Sequence, residues 1–216
     1  MHPEFWTSRW KENRIGFHQT EYNSRLLQHW QVEPDQSNHI FVPLCGKSLD
    51  MRYLSEFGMV TGIELSDLAV RAFFEEWSEV ADVYDYHGYT ALEANHVRLL
   101  RGDLFQMPSS LYGNFTHVYD RASMIALPSE MRAKYVEVLH RLLQPGGEVL
   151  LVTIEYPDGE LPGPPFSVGS AWLRQYASFG FSIEHLESID TWRADSPLAE
   201  EGLTALDTHV FRLTRR

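Results

Sequence analysis

Three groups of residues in this chain have types and spacing suited to chemistry. The first is Leu44, Cys45 and Gly46, which close the apolar run Ile40-Phe41-Val42, together with Glu64 at the end of a second apolar run about 20 residues later. A single glycine lets backbone approach a ligand closely. A carboxylate at a strand's carboxyl end can accept hydrogen bonds from a ribose diol. The second group is Asp103 with Leu104, where the acid can reach the exocyclic amine of an adenine and the leucine can lie on its ring. The third is Asp120-Arg121, a fixed positive charge directly after an apolar run. Any one acid at a strand end serves equally well as a helix cap or a solvated side chain. Their placement after successive strands is what points to a bound nucleoside.

The turn itself sorts the nucleotide chemistries. Gly46-Lys47-Ser48 superficially matches a phosphate-binding loop, but that motif needs glycine at position 41, where this chain has Phe. A dinucleotide site needs G-x-G-x-x-G so that successive amides cradle a pyrophosphate, and the lone Gly46 serves that poorly. S-adenosylmethionine carries adenosine without phosphate, so one glycine and one ribose-binding acid suffice. That cofactor fits best, with S-adenosylhomocysteine as its product.

The elements that must position these groups alternate. Ile40 to Leu44 reads as a buried strand, Leu49 to Phe57 as a helix stopped by Gly58, and Met59 to Leu65 as a second strand. Ser66 or Asp67 caps the next helix. Strands follow at Val97 to Leu100 and Phe115 to Tyr119, then a helix from Pro128 to about Leu143 that Pro145-Gly146-Gly147 breaks. Val149 to Ile154 is a continuous apolar, largely β-branched run of the kind buried on both faces of a parallel sheet. A helix over Ser170 to Phe179 and strands at Phe181 to Leu186 and His209 to Thr214 complete the pattern. Tyr84, Tyr86, His87 and Tyr89 read as a surface loop. The order predicts a doubly wound α/β fold in one domain spanning residues 1–216, with ligands beyond the strands' carboxyl ends.

Composition narrows the partners. Thirty acidic against eighteen basic side chains give a formal charge of −12, which argues against nucleic acid or an anionic membrane as partner and for a small molecule. The single Cys45 forms no internal disulfide, and the opening residues lack the basic and apolar regions of a secretory signal, so a cytoplasmic setting is expected. No apolar run approaches the ~20 residues of a membrane span. The histidines lack metal-ligand spacing, so no metal is expected. A monomer is the expected state.

Several stretches together resemble a known family. Leu142-Leu143-Gln144-Pro145-Gly146-Gly147-Glu148-Val149-Leu150-Leu151 is similar to the late-strand signature of class I methyltransferases. Val42-Pro43-Leu44-Cys45-Gly46-Lys47-Ser48-Leu49-Asp50-Met51 resembles the cofactor turn of thiopurine S-methyltransferases. Further matches are Phe5-Trp6 through Trp10 to Gly16-Phe17-His18-Gln19, Gly62-Ile63-Glu64-Leu65-Ser66, Asp120-Arg121 and Pro162-Gly163-Pro164-Pro165-Phe166. The resemblance implies a Rossmann-like, mostly parallel seven-stranded sheet and a cofactor contacted by Trp10, Leu44, Glu64 and Arg121. It also implies that residues 1–30 fold over the site as a helical lid, and that bacterial-type members methylate sulfur, selenium or tellurium acceptors. The region around Arg193, which in relatives helps hold the substrate, aligns poorly.

Methyl transfer from a sulfonium to a thiolate is an in-line displacement, and alignment can supply ~7 to 11 kcal/mol of such a barrier. A general base contributes about 10²- to 10⁴-fold and is optional for an acceptor already ionised. Arg121 can meet the cofactor carboxylate or an acceptor thiolate, unless it pairs with Asp120 or another acid. Trp6, Trp10, Asn13 and Phe17 share one helical stripe that either packs on the core or covers the sulfonium with indole faces. His18 can relay a proton or touch the acceptor, and Pro165 and Phe166 belong to a stiff, extended wall beside an apolar slot. Cys45 lacks an activating base and reads as a small buried residue. The leading expectation is an S-methyltransferase for thiols. The alternatives are a methyltransferase for oxygen, nitrogen or a metalloid oxyanion, or a non-catalytic cofactor-binding module, with a dinucleotide oxidoreductase disfavoured by the glycine pattern.

Overall fold

The computed structural model describes residues 3–216. The chain opens with α1 (Pro3–Lys11) and α2 (Ser24–His29), then alternates β1 (His39–Val42), α3 (Asp50–Leu54), β2 (Met59–Glu64) and α4 (Asp67–Trp77). A hairpin, β3 (Asp82–Tyr86) and β4 (Tyr89–Ala94), precedes β5 (Val97–Arg101) and β6 (Phe115–Arg121). After α5 (Ser129–Leu142) and β7 (Leu143–Glu155) come α6 (Ser170–Leu173), β8 (Phe181–Asp190), α7 (Pro197–Glu200) and β9 (Asp207–Arg215). One sheet runs in the order β3-β4-β5-β2-β1-β6-β7-β9-β8.

The five strands β5-β2-β1-β6-β7 are mutually parallel; β4 and β9 join them antiparallel, and the edge strands β3 and β8 pair antiparallel with β4 and β9 in turn. The chain leaves β1 towards β2 on one side and returns to β6 on the other, so strand order reverses between β1 and β6. Alternation along each strand then decides which layer a residue joins. Ile40, Val42, Val60 and Leu99 pack against α2, α3 and α4 through Leu26, Met51, Leu54, Val70 and Phe73. Phe41, Ile63, Val118, Val149 and Leu151 pack on the other face with Tyr135, Leu139 and Leu142 of α5.

Several expectations are corrected. The sheet has nine strands where seven were expected, because Tyr84, Tyr86 and Tyr89 lie on the β3-β4 hairpin and not in a loop. Its alternating aromatics give it the pattern of a half-buried ribbon, with Tyr89 buried and its hydroxyl donating to the Asp103 carbonyl at 3.0 Å. The helix before β7 stops at Leu142, and Pro145-Gly146-Gly147 falls within the strand beside a register shift against β6. Asp120 and Arg121 are the last residues of β6, not residues beyond it. The helix expected from Ser170 to Phe179 is α6 followed by a tighter turn over Arg174–Phe179, and Gly180 closes it with φ 89°.

The N-terminal stripe is also shorter than its spacing implied. α1 ends at Lys11, Asn13 takes a left-handed φ of 53°, and Phe17 returns along a loop. α2 is part of the packed body: Leu26 is fully buried, Trp30 nearly so, and Glu187 of β8 takes both Arg25 (2.9 Å) and His29 (2.9 Å).

Gly62 sits where α3 and the turn after β1 press closest on β2. A Cβ there would meet Cys45 Sγ and Leu99 Cδ2, each at 2.7 Å, and Met51 Sδ at 3.1 Å. Gly62→Ala is expected to cost about 1–3 kcal/mol through overpacking, read as a lower urea midpoint with unchanged slope.

Candidate functional site

The carboxyl ends of β1, β2 and β6 converge at the strand-order reversal, the place where open α/β sheets bind ligands. At the end of β1, Leu44 and Gly46 both have positive φ, 43° and 53°. The Cys45 amide between them donates to the Ile63 carbonyl at 3.0 Å, so the turn is tied to β2. Ala122, just past β6, has φ 74°, and the next residue, Ser123, donates its hydroxyl to the Pro43 carbonyl at 2.7 Å. Two non-glycine residues in a conformation that costs of order 1–3 kcal/mol each thus flank the crevice.

Glu64 lies at its base. The carboxylate is buried, and its two oxygens accept the Gly46 amide at 3.0 Å and the Ser66 amide at 2.8 Å. Burial raises its pKa while these hydrogen bonds act against the rise. A carboxylate has about four lone-pair positions, so acceptor capacity remains for a diol. Trp10 is seated over Gly46: a Cβ at position 46 would lie 2.9 Å from the indole Cζ2. Glycine is therefore required both for backbone angle and for the indole's approach. Phe17 packs edge-on against Trp6 (centroids 5.9 Å) and Trp10 (5.7 Å), forming an aromatic roof.

Period two along β6 sends neighbouring residues to opposite layers. Asp120 faces α5, where it accepts the Tyr135 hydroxyl at 2.6 Å and the Ser123 amide at 3.1 Å, and burial pushes its pKa up to about 6. Arg121 faces the α3 layer, where Nη1 donates to the Phe17 carbonyl at 3.1 Å and Nε stands 3.8 Å from the Asp50 carboxylate. The Arg121 partner is therefore Asp50, not Asp120. His18 adjoins this group, and burial, followed by the Lys47 ammonium, lowers its pKa. The shift favours the neutral imidazole. Burial, with the Glu64 charge second, raises the Cys45 thiol well above its ordinary value, so it is no thiolate nucleophile.

Asp103 is half-buried; its carboxylate caps the turn at Leu104–Gln106 by accepting the Phe105 amide at 2.9 Å. Leu104 is enclosed in the core at 0% exposure and presents no surface to a ligand as placed. Pro165 and Phe166 lie on a bent segment, not an extended one: Gly163 has φ 66° and the Phe166 ring folds back over it. The Phe166 amide donates to the Ile125 carbonyl at 2.7 Å, and Tyr156 donates to the Pro165 carbonyl at 2.7 Å, so this strap is pinned beside the loop that follows Arg121. Arg193 is exposed and pairs with Asp195 at 2.9 Å.

A polar cleft of about 600 Å³ opens at the other end of the strands, beside His39, Arg98 and Thr116. It lies away from every group gathered above. Among the described residues there is no cluster of His, Cys, Asp and Glu suited to a metal ion, and no helix is long and apolar enough to cross a membrane. Asp50 was missed in the sequence. An acid opening a helix reads as a partner for the helix dipole, and no local signal brings Tyr119 and Arg121 to it.

Comparison with known proteins adds the following. The family model described as Thiopurine S-methyltransferase (TPMT) matches residues 1–216. A thiopurine S-methyltransferase of Pseudomonas fluorescens (strain SBW25) is 39% identical over 218 residues, and one of Shewanella baltica (strain OS185) is 42% identical over 224 residues; each alignment covers 100% of both chains. In fold, the chain is similar to the Burkholderia thailandensis 1,6-didemethyltoxoflavin-N1-methyltransferase solved with S-adenosylhomocysteine. That match has a TM-score of 0.64 at 16% identity and covers 99% of this chain and 86% of the other.

The raised Asp120 pKa has a direct consequence for stability. Unfolded, the group ionises near its ordinary 3.8; folded, it ionises near 6. Stability from the protonated form is complete below about 3.8 and is lost as pH rises through 6, by about 3 kcal/mol at most. Asp120→Asn keeps acceptors for the backbone amides and should gain on the wild type by about 2–3 kcal/mol between pH 4 and 7. Urea denaturation of both proteins across that range measures the difference, and a gap independent of pH would contradict it.

Proposed function

Because the chain belongs to the thiopurine S-methyltransferase family and uses S-adenosylmethionine, we propose that it methylates the sulfur of small thiols, thiopurines and other aromatic thiols foremost, and accepts selenium and tellurium compounds as well. The observation that carries this reading is Arg121. Its guanidinium is fixed at the crevice mouth with its nearby acid at 3.8 Å, outside hydrogen-bond range. A cation so held favours an acceptor in its anionic form.

S-adenosylmethionine supplies the electrophilic methyl group. The chain's own residues do the rest. Glu64 accepts the ribose hydroxyls, while the backbone of Leu44 and Gly46 lets the nucleoside sit close to the strand ends. Asp103 takes the adenine amine. Leu104, enclosed in the core, supports that edge from beneath and does not itself cover the ring. Trp6 and Trp10 cover the cofactor, and Arg121 meets its carboxylate or the acceptor thiolate. Phe17 and His18 border the acceptor from the roof, with the neutral imidazole free to take a proton. Pro165 and Phe166 border it from the strap. This division assigns most of the rate to alignment and exclusion of water, which suits an acceptor that is already a strong nucleophile.

The same reading makes the N-terminal arm a lid, with narrower limits than residues 1–30. The packing of α2 and its ties to Glu187 leave α1 and the loop to His18 as the part that moves. Amides of residues 5 to 18 are expected to gain hydrogen-exchange protection on addition of S-adenosylhomocysteine, while those of α2 stay protected throughout. Equal protection of residues 5 to 18 in both states would sink the lid.

An acceptor screen with labelled methyl donor tests the chemistry. Label should appear in thiopurine, aryl thiol, selenol and tellurite-derived products, and Arg121→Ala should lower turnover on the order of 10²-fold, the usual effect of losing one preorganised electrostatic group. Transfer confined to amines or hydroxyls, or cofactor binding without transfer to any acceptor, would overturn the proposal.

A further inference from the structure

We propose that Asp50 is a positioning residue for the reaction: its buried carboxylate sets the orientation in which Arg121 faces the acceptor. The inference rests on the role given to Arg121 above and extends it to a residue that touches neither cofactor nor acceptor.

Asp50 opens α3 a few residues past Gly46 and is 1% exposed. Three residues from two parts of the chain meet on its two oxygens. Oδ1 accepts the Asn23 amide at 2.8 Å, at the residue that caps α2. Oδ2 accepts the Tyr119 hydroxyl at 2.9 Å and lies 3.8 Å from Arg121 Nε. Tyr119 and Arg121 stand two apart on β6, so both point into the layer that holds Asp50. On its other side the guanidinium gives Nη1 to the Phe17 carbonyl. The planar fork is therefore held between a charge behind it and a carbonyl beside it, with further N–H groups available to an anion.

The alternative is that Asp50 only fastens Asn23 and Tyr119. Both are neutral donors, and a neutral amide could accept from them without the cost of burying a charge. A carboxylate earns its place only where a cation must be held, and Arg121 is the cation beside it. The separation of 3.8 Å suits orientation without capture. Long-range attraction turns the side chain, while the N–H groups are not consumed by a short bidentate pair.

The test is a double-mutant cycle. Asp50→Asn preserves the frame, because the Tyr119 hydroxyl can donate or accept and so can face an amide oxygen or nitrogen. In the wild-type background Asp50→Asn should lower kcat about tenfold, with affinity for S-adenosylhomocysteine by calorimetry held within about threefold. In an Arg121→Lys background, where the planar fork is gone, the same change should lower kcat less than about twofold. Equal losses in the two backgrounds would overturn the proposal. A second readout needs no acceptor: the Arg121 Nε–H resonance should shift and exchange faster with water in Asp50→Asn than in wild type. An unchanged resonance would also overturn it. Absence of transfer to every acceptor would instead sink the thiol assignment and leave the resonance test standing.

Discussion

Burying a carboxylate costs several kcal/mol unless hydrogen-bond donors accompany it, and this constraint organises the strand ends. Glu64 and Asp50 are both enclosed: Glu64 accepts two main-chain amides, and Asp50 accepts one together with the Tyr119 hydroxyl. Those amides belong to other segments: Gly46 from the turn after β1, Ser66 from the start of α4, and Asn23 from the N-terminal arm. Each acid thus dictates where a separate stretch of backbone must lie. Removing either would leave amides unpaired as well as a cavity, so the crevice and the segments around it stand or fall together.

Sheet geometry supplies the rest of the placement. The parallel strands β1 and β6 carry the chain to opposite sides of the reversal, and the left-handed residues Leu44 and Ala122 turn it away just past their ends. Alternation along β6 then separates two adjacent ionisable groups completely. Asp120 is buried towards α5, with a raised pKa that burial explains, while Arg121 faces the crevice. One strand therefore carries a buried acid and a crevice-facing cation side by side without letting them neutralise each other.

Much of this was legible in the sequence because it depends on short-range patterns. The apolar runs at Ile40 and Met59, the Ser66 cap, Gly46 and Glu64 each announce themselves within a few residues. What stayed hidden depends on distant partners. The aromatic ribbon from Tyr84 to Tyr89 pairs with β5 only once the sheet exists, and its tyrosines look like loop residues until Arg98, Glu93 and the Asp103 carbonyl come to them. The stripe Trp6, Trp10, Phe17 is an aromatic cluster as its spacing hinted, yet a loop and not a continuous helix assembles it. Leu104 has the composition of a ring-facing residue and the burial of a core one, a distinction that only packing can make.

The clamp on α2 joins opposite ends of the chain. Arg25 and His29 bind Glu187 across sequence separations of 162 and 158 residues, so one anchor of an early-made helix belongs to one of the last-made strands. During synthesis, which runs at about 5–20 residues per second, α2 emerges well before Glu187 exists, although its earlier partner Asp50 follows it closely. The clamp on α2 closes only after β8 has left the ribosome, so a helix from the first thirty residues receives its last ties when nearly the whole chain has been made.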